Sequence, residues 1–206
     1  FIALSSSAAA SMTKGIGIND QGKRFINEDV YHGRLGAFVV RQQSERVYFI
    51  LSVEQYGDYE RVSYMGSGVA GTGETVQELE EELELREGTL QQTIKVYNED
   101  CVSGKDTQCH KAAEWLEPLV PPLVALDITP GRGSFLPFFT LGGLDTLPTG
   151  EVVDPQRDVI PGLYAAGRTA CGVVRRAEGY SSGMSVGDAS FSGRLAGKQA
   201  AARARS

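Results

Sequence analysis

Residues 160–197, IPGLYAAGRTACGVVRRAEGYSSGMSVGDASFSGRLAG, constrain this chain more than any other stretch. Pro161-Gly162 reads as a turn, and the apolar run 163–166 as a buried strand ending at Gly167. A glycine-rich loop follows. Tyr180-Ser181-Ser182-Gly183 then leads into a helix of small residues that contains Gly187, Gly193 and Gly197. A strand, a glycine turn and a helix N-terminus meeting at one point gather backbone N–H groups and the positive end of a helix dipole. That suits a phosphate, a carbonyl or an electron-rich ring. Glycine inside a helix costs about 0.5–1 kcal/mol relative to alanine, so three of them ask for something close to the helix backbone. An ordinary strand–turn–helix corner would have the same spacing.

The rest of the composition mainly excludes. A chain of 206 residues has room for one sizeable domain or two small ones, and its 25 glycines suit a loop-rich α/β protein. A net charge of −6, with only a short Arg-Ala-Arg tail as a basic feature, argues against nucleic acid. No apolar run approaches the roughly 18 residues of a membrane span. The three cysteines, Cys101, Cys109 and Cys171, are odd in number and lack zinc spacing, which points to a reducing cytoplasm. His32 and His110 have no partner at ligand spacing, so no metal site is expected.

Along the chain, residues 14–19 and 23–27 read as two short strands around the turn Asp20-Gln21-Gly22. Apolar spacing predicts a helix from about Tyr31 to residue 43, and the run 46–53 a mostly buried strand. Residues 55–73 read as irregular. A helix is expected over 74–86, with Val76, Leu79 and Leu83 inward and a solvated acidic face outward. Thr89 is expected to cap a second helix with Leu90, Ile94 and Tyr97 as its stripe. A strand is expected over 123–128. Residues 138–144 and 151–153 read as a hairpin-like pair around Pro148-Thr149-Gly150.

Gly66-Ser67-Gly68-Val69-Ala70-Gly71 matches G-x-G-x-x-G letter for letter. It follows a poor strand, and the next helix opens only near Glu74, so it reads as a flexible loop and not a dinucleotide site. No G-x-S-x-G elbow accompanies the serines. The phenols are better candidates. A tyrosine donates a proton readily to a carbonyl or carbanion, and serves as a base beside a cation. Arg34, one turn after Tyr31, is such a cation if both point the same way. Plain packing with a hydrogen bond is the alternative for either ring.

The GLYAAG strand and the small-residue helix after it resemble the flavin-contacting part of the FAD-dependent fumarate reductase/3-ketosteroid dehydrogenase superfamily. Asn19 to Glu28 (NDQGKRFINE) resembles that family's N-x-x-G-x-R-F-x-N-E hairpin, and Phe139-Thr140-Leu141-Gly142-Gly143-Leu144 its return to the FAD domain. The resemblance covers nearly the whole chain but only the back half of the family's usual length. It implies an α+β cap (substrate) domain over 14–137, joined to the C-terminal part of an α/β FAD-binding domain over 138–206. Residues 1–13 become a linker from an N-terminal part. The Rossmann segment is absent, so the chain, which opens at Phe1, is expected to be a fragment that binds FAD weakly alone.

Tyr31-x-Gly33-Arg34 with Tyr180-x-Ser182-Gly183 is most similar to the 3-ketosteroid Δ4-(5α)-dehydrogenase branch. The resemblance implies Tyr31, Tyr180 and Ser182 as the catalytic set, with the Gly183 N–H polarising a 3-keto oxygen. It implies Ala166, Gly167, Arg168, Gly183, Met184, Ser185 and Val186 as FAD contacts. The expected substrate is a small hydrophobic 3-ketosteroid, dehydrogenated at the carbon–carbon bond beside the ketone. Two alternatives stay open: reduction of an activated double bond, as by a fumarate reductase, with Arg175 and Arg176 near the right loop, and an inactive remnant. A separate chain carrying the N-terminal FAD-binding half is the partner this implies.

Overall fold

The structure, a computed structural model, describes residues 13–62, 67–132, 142–173, 179–181 and 183–205, with the backbone alone at 32, 33 and 58–62. The chain divides into two compact units, 1–137 and 138–206. Together they form a mixed α/β protein.

Unit 1 is built on a four-stranded antiparallel sheet in the order β1-β2-β4-β3, from β1 (Ile16–Asn19), β2 (Val47–Ser52), β3 (Val69–Gly73) and β4 (Leu123–Asp127). β2 is buried along its whole length, because both faces of the sheet are covered. Alternation sorts its side chains. Val47, Phe49 and Leu51 join Val124 and Leu126 of β4 on one face, against Leu35 and Val39 of helix α1 (His32–Arg41). Tyr48 and Ile50 join Ile16, Ile18, Leu123 and Ala125 on the other face. There they meet Leu79 of α3 (Val76–Glu82) and Leu90, Ile94 and Tyr97 of α4 (Thr89–Ser103). Each fully buried aliphatic or aromatic side chain of this kind stabilises by about 1.5–3 kcal/mol.

Several expectations change. Of the range 55–73, expected to be irregular, residues 55–62 belong to helix α2 (Val53–Val62) and 69–73 form strand β3. α2 opens on Ser52-Val53-Glu54-Gln55, where buried Gln55 reaches back to accept from the Ser52 N–H at 3.0 Å, half of a capping box. The described part of the G-x-G-x-x-G run lies in β3 and before it, so it is sheet edge and not flexible loop. Glycine suits that edge because α3 lies directly on it. A Cβ at Gly73 would come within 2.5 Å of the Leu79 nitrogen.

The outward acidic face of α3 has one exception. Glu80 is buried and accepts from the N–H groups of Gly88 (2.7 Å), Leu90 (2.6 Å) and Gln91 (3.3 Å). Gly88, in the left-handed region at φ 82°, is therefore the N-cap of α4, and Thr89 is its first residue. The segment 23–27 contributes only a single bridge, Ile18 to Arg24.

Unit 2 is slighter. β5 (Glu151–Val153) pairs antiparallel with β6 (Val159–Tyr164), and Thr146 bridges Val152. The hairpin therefore joins 151–153 to 159–164; of the expected partner 138–144, residues 138–141 lie outside the described residues. The strand expected over 163–166 lies earlier, as β6, and is exposed over all but its last residue, while Ala165 just beyond it is buried. A turn of 3-10 helix, Gly167–Ala170, and the long helix α5 (Met184–Arg203) complete the unit.

Candidate functional site

In unit 2 the chain leaves β6 through Ala165, which is buried and donates its N–H to the Gly150 carbonyl at 2.9 Å. Ala166 is extended, and Gly167 turns the chain at φ 59°. The Gly167 N–H is held by Ser192 Oγ of α5 at 2.8 Å, and Ser192 in turn donates to the Asp188 carbonyl at 2.6 Å. Arg168 bends back, its Nη1 donating to the Cys171 carbonyl at 2.9 Å. The underside of this turn is closed by Gly143. A Cβ there would lie 2.2 Å from the Cys171 nitrogen, so only glycine fits.

The far side of the site is the N-terminus of α5. Gly183 caps it at φ 88° and supplies no side-chain acceptor. The Met184 N–H reaches the Ser181 carbonyl at 3.3 Å and the Gly187 N–H the Gly183 carbonyl at 2.9 Å. Among the described residues, added Cβ atoms at Gly183 and Gly187 would meet nothing within 4 Å. Tyr180 is 8 % exposed, and its hydroxyl accepts from Ser185 Oγ at 3.5 Å. Met184 and Ser185 are half-buried and Val186 is exposed. Ser182 lies outside the described residues.

Tyr31 belongs to unit 1. It is the half-buried N-cap of α1, and its carbonyl accepts from the Arg34 N–H at 2.8 Å. The turn that delivers it is fixed from behind by four buried charges. Arg24 forks onto Glu28 (3.2 and 2.8 Å) and onto Asp106 (3.0 and 2.9 Å). Lys111 Nζ donates to the Gly15 carbonyl at 2.9 Å and the Tyr97 hydroxyl at 3.1 Å, and lies 3.6 Å from Glu28. All four charged side chains are at 0 % exposure. Arg24 also stacks over the Tyr97 ring, 4.8 Å from its centroid.

Burial pushes the Asp106 pKa up, but hydrogen bonds from Arg24 and from the Lys111 and Cys109 N–H groups win and hold it well below the usual carboxylate range. Burial lowers the Lys111 pKa against the opposing pull of Glu28. The Cys109 thiol is pushed up to about 11 by burial, so it is inert near neutrality. The sequence pattern marks Arg24 and Glu28 through the hairpin motif. Asp106 falls in Gly104-Lys105-Asp106, which with Val96-Tyr97-Asn98 resembles that family's cap-domain helix, whereas nothing in the sequence pattern marks Lys111.

Among the described residues no group of three potential ligands gathers at metal-binding distance, and no helix is long and apolar enough to cross a membrane. Residues 5–183 match the family described as FAD binding domain, and the chain belongs to that family. Its cofactor is FAD. The chain is 30 % identical over 191 residues to a fumarate reductase (cytochrome) of Shewanella frigidimarina, covering 89 % of this chain and 31 % of the relative.

It is 27 % identical over 207 residues to a urocanate reductase of Eggerthella lenta, covering 93 % and 32 %. Among solved structures it is similar to 3-ketosteroid-Δ4-(5α)-dehydrogenase from Rhodococcus jostii RHA1 in complex with 4-androstene-3,17-dione. That likeness has a TM-score of 0.80 and 39 % identity over 94 % of this chain and 40 % of that one. The fold also matches 3-ketosteroid Δ1-dehydrogenase from Sterolibacterium denitrificans, with a TM-score of 0.76 at 23 % identity over 95 % and 40 % of the two chains. The chain spans about a third of the length of the curated relatives it matches.

Proposed function

We propose that this chain is the substrate and flavin-ring part of an FAD-dependent oxidoreductase that dehydrogenates the carbon–carbon bond beside the ketone of a 3-ketosteroid. The observation that carries the reading is Tyr180: a buried phenol beside the glycine-capped N-terminus of α5, in a chain 39 % identical to the steroid-bound dehydrogenase of Rhodococcus jostii.

The residues around that phenol fit the ring end of FAD. The first turn of α5 has no Cβ at Gly183 or Gly187 to hold a flat ring away, and its dipole favours an electron-rich edge. Ala166, Gly167, Arg168, Met184, Ser185 and Val186 would hold it there. When bound, FAD supplies the hydride acceptor. The chain supplies the rest. The Gly183 N–H and the Tyr180 hydroxyl polarise the ketone oxygen, which acidifies the neighbouring C–H. Tyr31 and Tyr180 handle the proton, and Ser182 orients or relays. The remainder of the FAD domain is carried by further polypeptide, and the assembly works in the cytoplasm.

The fumarate reductase relatives support a second reading, reduction of an activated double bond. That chemistry needs clustered Arg and His to bind two carboxylates. Arg175 and Arg176, its candidates, lie outside the described residues. A colourless protein with no companion would instead favour an inactive remnant.

The test is turnover of a 3-keto-5α-steroid by the flavin-loaded protein. Tyr180→Phe and Tyr31→Phe should each lower it by at least about a hundredfold with flavin absorbance unchanged, and Ser182→Ala by less. Near-full dehydrogenation by both tyrosine variants, or fumarate reduction outpacing it, overturns the steroid reading.

A further inference from the structure

Tyr48, near the start of β2, is 6 % exposed, yet its hydroxyl makes no hydrogen bond among the described residues. Other buried hydroxyls of unit 1 are satisfied. Tyr97 accepts from Lys111, Ser52 accepts from the Val120 N–H, and Thr93 donates to the Gly22 carbonyl. An unpaired buried hydroxyl costs free energy, so this one asks for a reason. Tyr48 lines a cavity of about 690 Å³ at the end of the sheet where it pairs with Asp127 of β4. Burial pushes its pKa above the ordinary tyrosine value; Arg46 pulls it down, and Asp127, Glu84 and Asp20 push it further up. All four of those charges belong to the cavity wall, so the hydroxyl faces the cavity and stays protonated there.

Among the described residues the wall holds five carboxylates, of Asp20, Glu45, Glu82, Glu84 and Asp127, and two guanidiniums, of Arg46 and Arg132. Asp127 engages both guanidiniums, 3.2 Å from Arg46 and 3.7 Å from Arg132, and accepts from the Thr129 N–H at 2.9 Å. The other four acids make no ion pair among the described residues. Asp20 accepts from the Glu45 N–H at 3.0 Å. Glu82 is laid over the edge of β3, since a Cβ at Gly71 would come within 2.7 Å of its Cγ. Between the acids the wall is aliphatic, through exposed Val69 and half-buried Leu85.

An unneutralised negative surplus calls for a cation, and its layout selects the kind. No three potential metal ligands gather at binding distance among the described residues. A divalent metal needs its oxygens converged on one point, whereas these acids are spread around an elongated, partly apolar wall. A single compact cation would leave most of them unpaired. We propose that this cavity binds a linear aliphatic polyamine. Its ammonium groups meet the unpaired carboxylates, its methylenes lie on Val69 and Leu85, and one ammonium N–H donates to the Tyr48 oxygen. The site does not depend on the flavin reading. Tyr48 packs on the sheet face shared with α3 and α4, while α1, with Tyr31 at its N-cap, covers the opposite face.

The test titrates the 206-residue chain with spermidine at low salt, followed by calorimetry and by melting temperature. Binding should saturate at one spermidine per chain and raise the melting temperature. Tyr48→Phe should weaken spermidine at least about fivefold. Without ligand it should melt at or above the wild type, because the hydroxyl it loses had no partner. Glu82→Gln with Glu84→Gln should weaken binding at least about tenfold. Glu99→Gln with Glu114→Gln removes the same charge from exposed positions away from the cavity, and should change binding by less than about twofold.

Equal losses from the two glutamine pairs overturn the proposal, as does binding that does not saturate. So does displacement of spermidine by magnesium ion at equal concentration. Each would mean that the amine responds to net charge alone. A Tyr48→Phe variant that binds as tightly as the wild type, or melts below it without ligand, overturns it as well, because the hydroxyl would then serve the fold and not the amine.

Discussion

Asp106→Asn perturbs the buried charge cluster at one atom. Arg24 and Lys111 contribute two positive charges, Glu28 and Asp106 two negative ones, so the cluster is neutral. The substitution leaves one uncompensated positive charge in the interior. It also replaces an oxygen that accepts from Arg24 with an NH₂ that cannot. The N–H groups of Gln108, Cys109 and Lys111, each 3.0–3.1 Å from the carboxylate, compete for the single remaining oxygen.

Breaking a buried pair from one side costs about 3–5 kcal/mol. Arg24 keeps both bonds to Glu28, which places the expected loss near the lower end, about 3 kcal/mol of a stability of order 5–15 kcal/mol. Adding Lys111→Met restores neutrality at the cost of hydrogen bonds to Gly15 and Tyr97, worth about 1 kcal/mol each. The double variant should therefore be more stable than the sum of the singles by at least about 1 kcal/mol.

The pH dependence has a definite sign. The folded pKa of Asp106 is depressed. Its contribution is full above the unfolded value near about 4 and fades as pH falls towards the folded one. The acid limb of stability in Asp106→Asn should be flatter than that of the wild type. Urea unfolding followed by circular dichroism between pH 3 and pH 7 (both on the order of the window set by that carboxylate) measures both effects. A single-variant loss below about 1 kcal/mol, or strict additivity, would show that the cluster is not electrostatically coupled.

Glu80→Ala should cost about 1–2 kcal/mol and speed hydrogen exchange at the Leu90 and Gln91 amides, because it strips the acceptor from the first turn of α4. Gly150→Ala should destabilise the packing of α5 on the β5–β6 hairpin, read as faster proteolysis within 145–165, since its methyl has nowhere to go beside Ala196. The 206-residue chain by itself should retain well under stoichiometric FAD after desalting, measured by visible absorbance. Full retention would mean that a pyrophosphate cradle exists without the usual glycine loop.

The centre of unit 1 was readable because its strands carry their reason in composition. The run 46–53 is β-branched and aromatic, and β2 lies between two apolar layers. The stripe Leu90, Ile94, Tyr97 likewise faces the core. β3 was hidden because glycine replaces the alternating side chains, and its stability comes from α3 lying on bare backbone. α2 was hidden by its polar sequence, although Ser52-x-x-Gln55 announces its start. The run 163–166 reads as a buried strand, and Ala165 is buried, yet Leu163 is exposed, because apolar pattern reports which residues can be covered and not which are.

In the candidate site, Tyr180, Gly183 and the turn at Gly167 could be found by motif. The support from Ser192 and Gly143 could not, because it depends on which backbone atoms come within reach. Lys111 is invisible for the same reason, as the partner of residues far away in sequence.

That separation in sequence also bears on when the cluster forms. Lys111 and Gly15 are 96 positions apart, Arg24 and Asp106 82. Closing such loops is entropically costly, and four charges must lose their water together before any of their mutual attraction is gained. The helices and the β2–β4 pairing have to be largely in place first, so the cluster assembles on the native side of the folding barrier. Substitutions within it should leave the refolding rate nearly untouched and accelerate unfolding, so these ions govern how long unit 1 stays folded more than how fast it gets there.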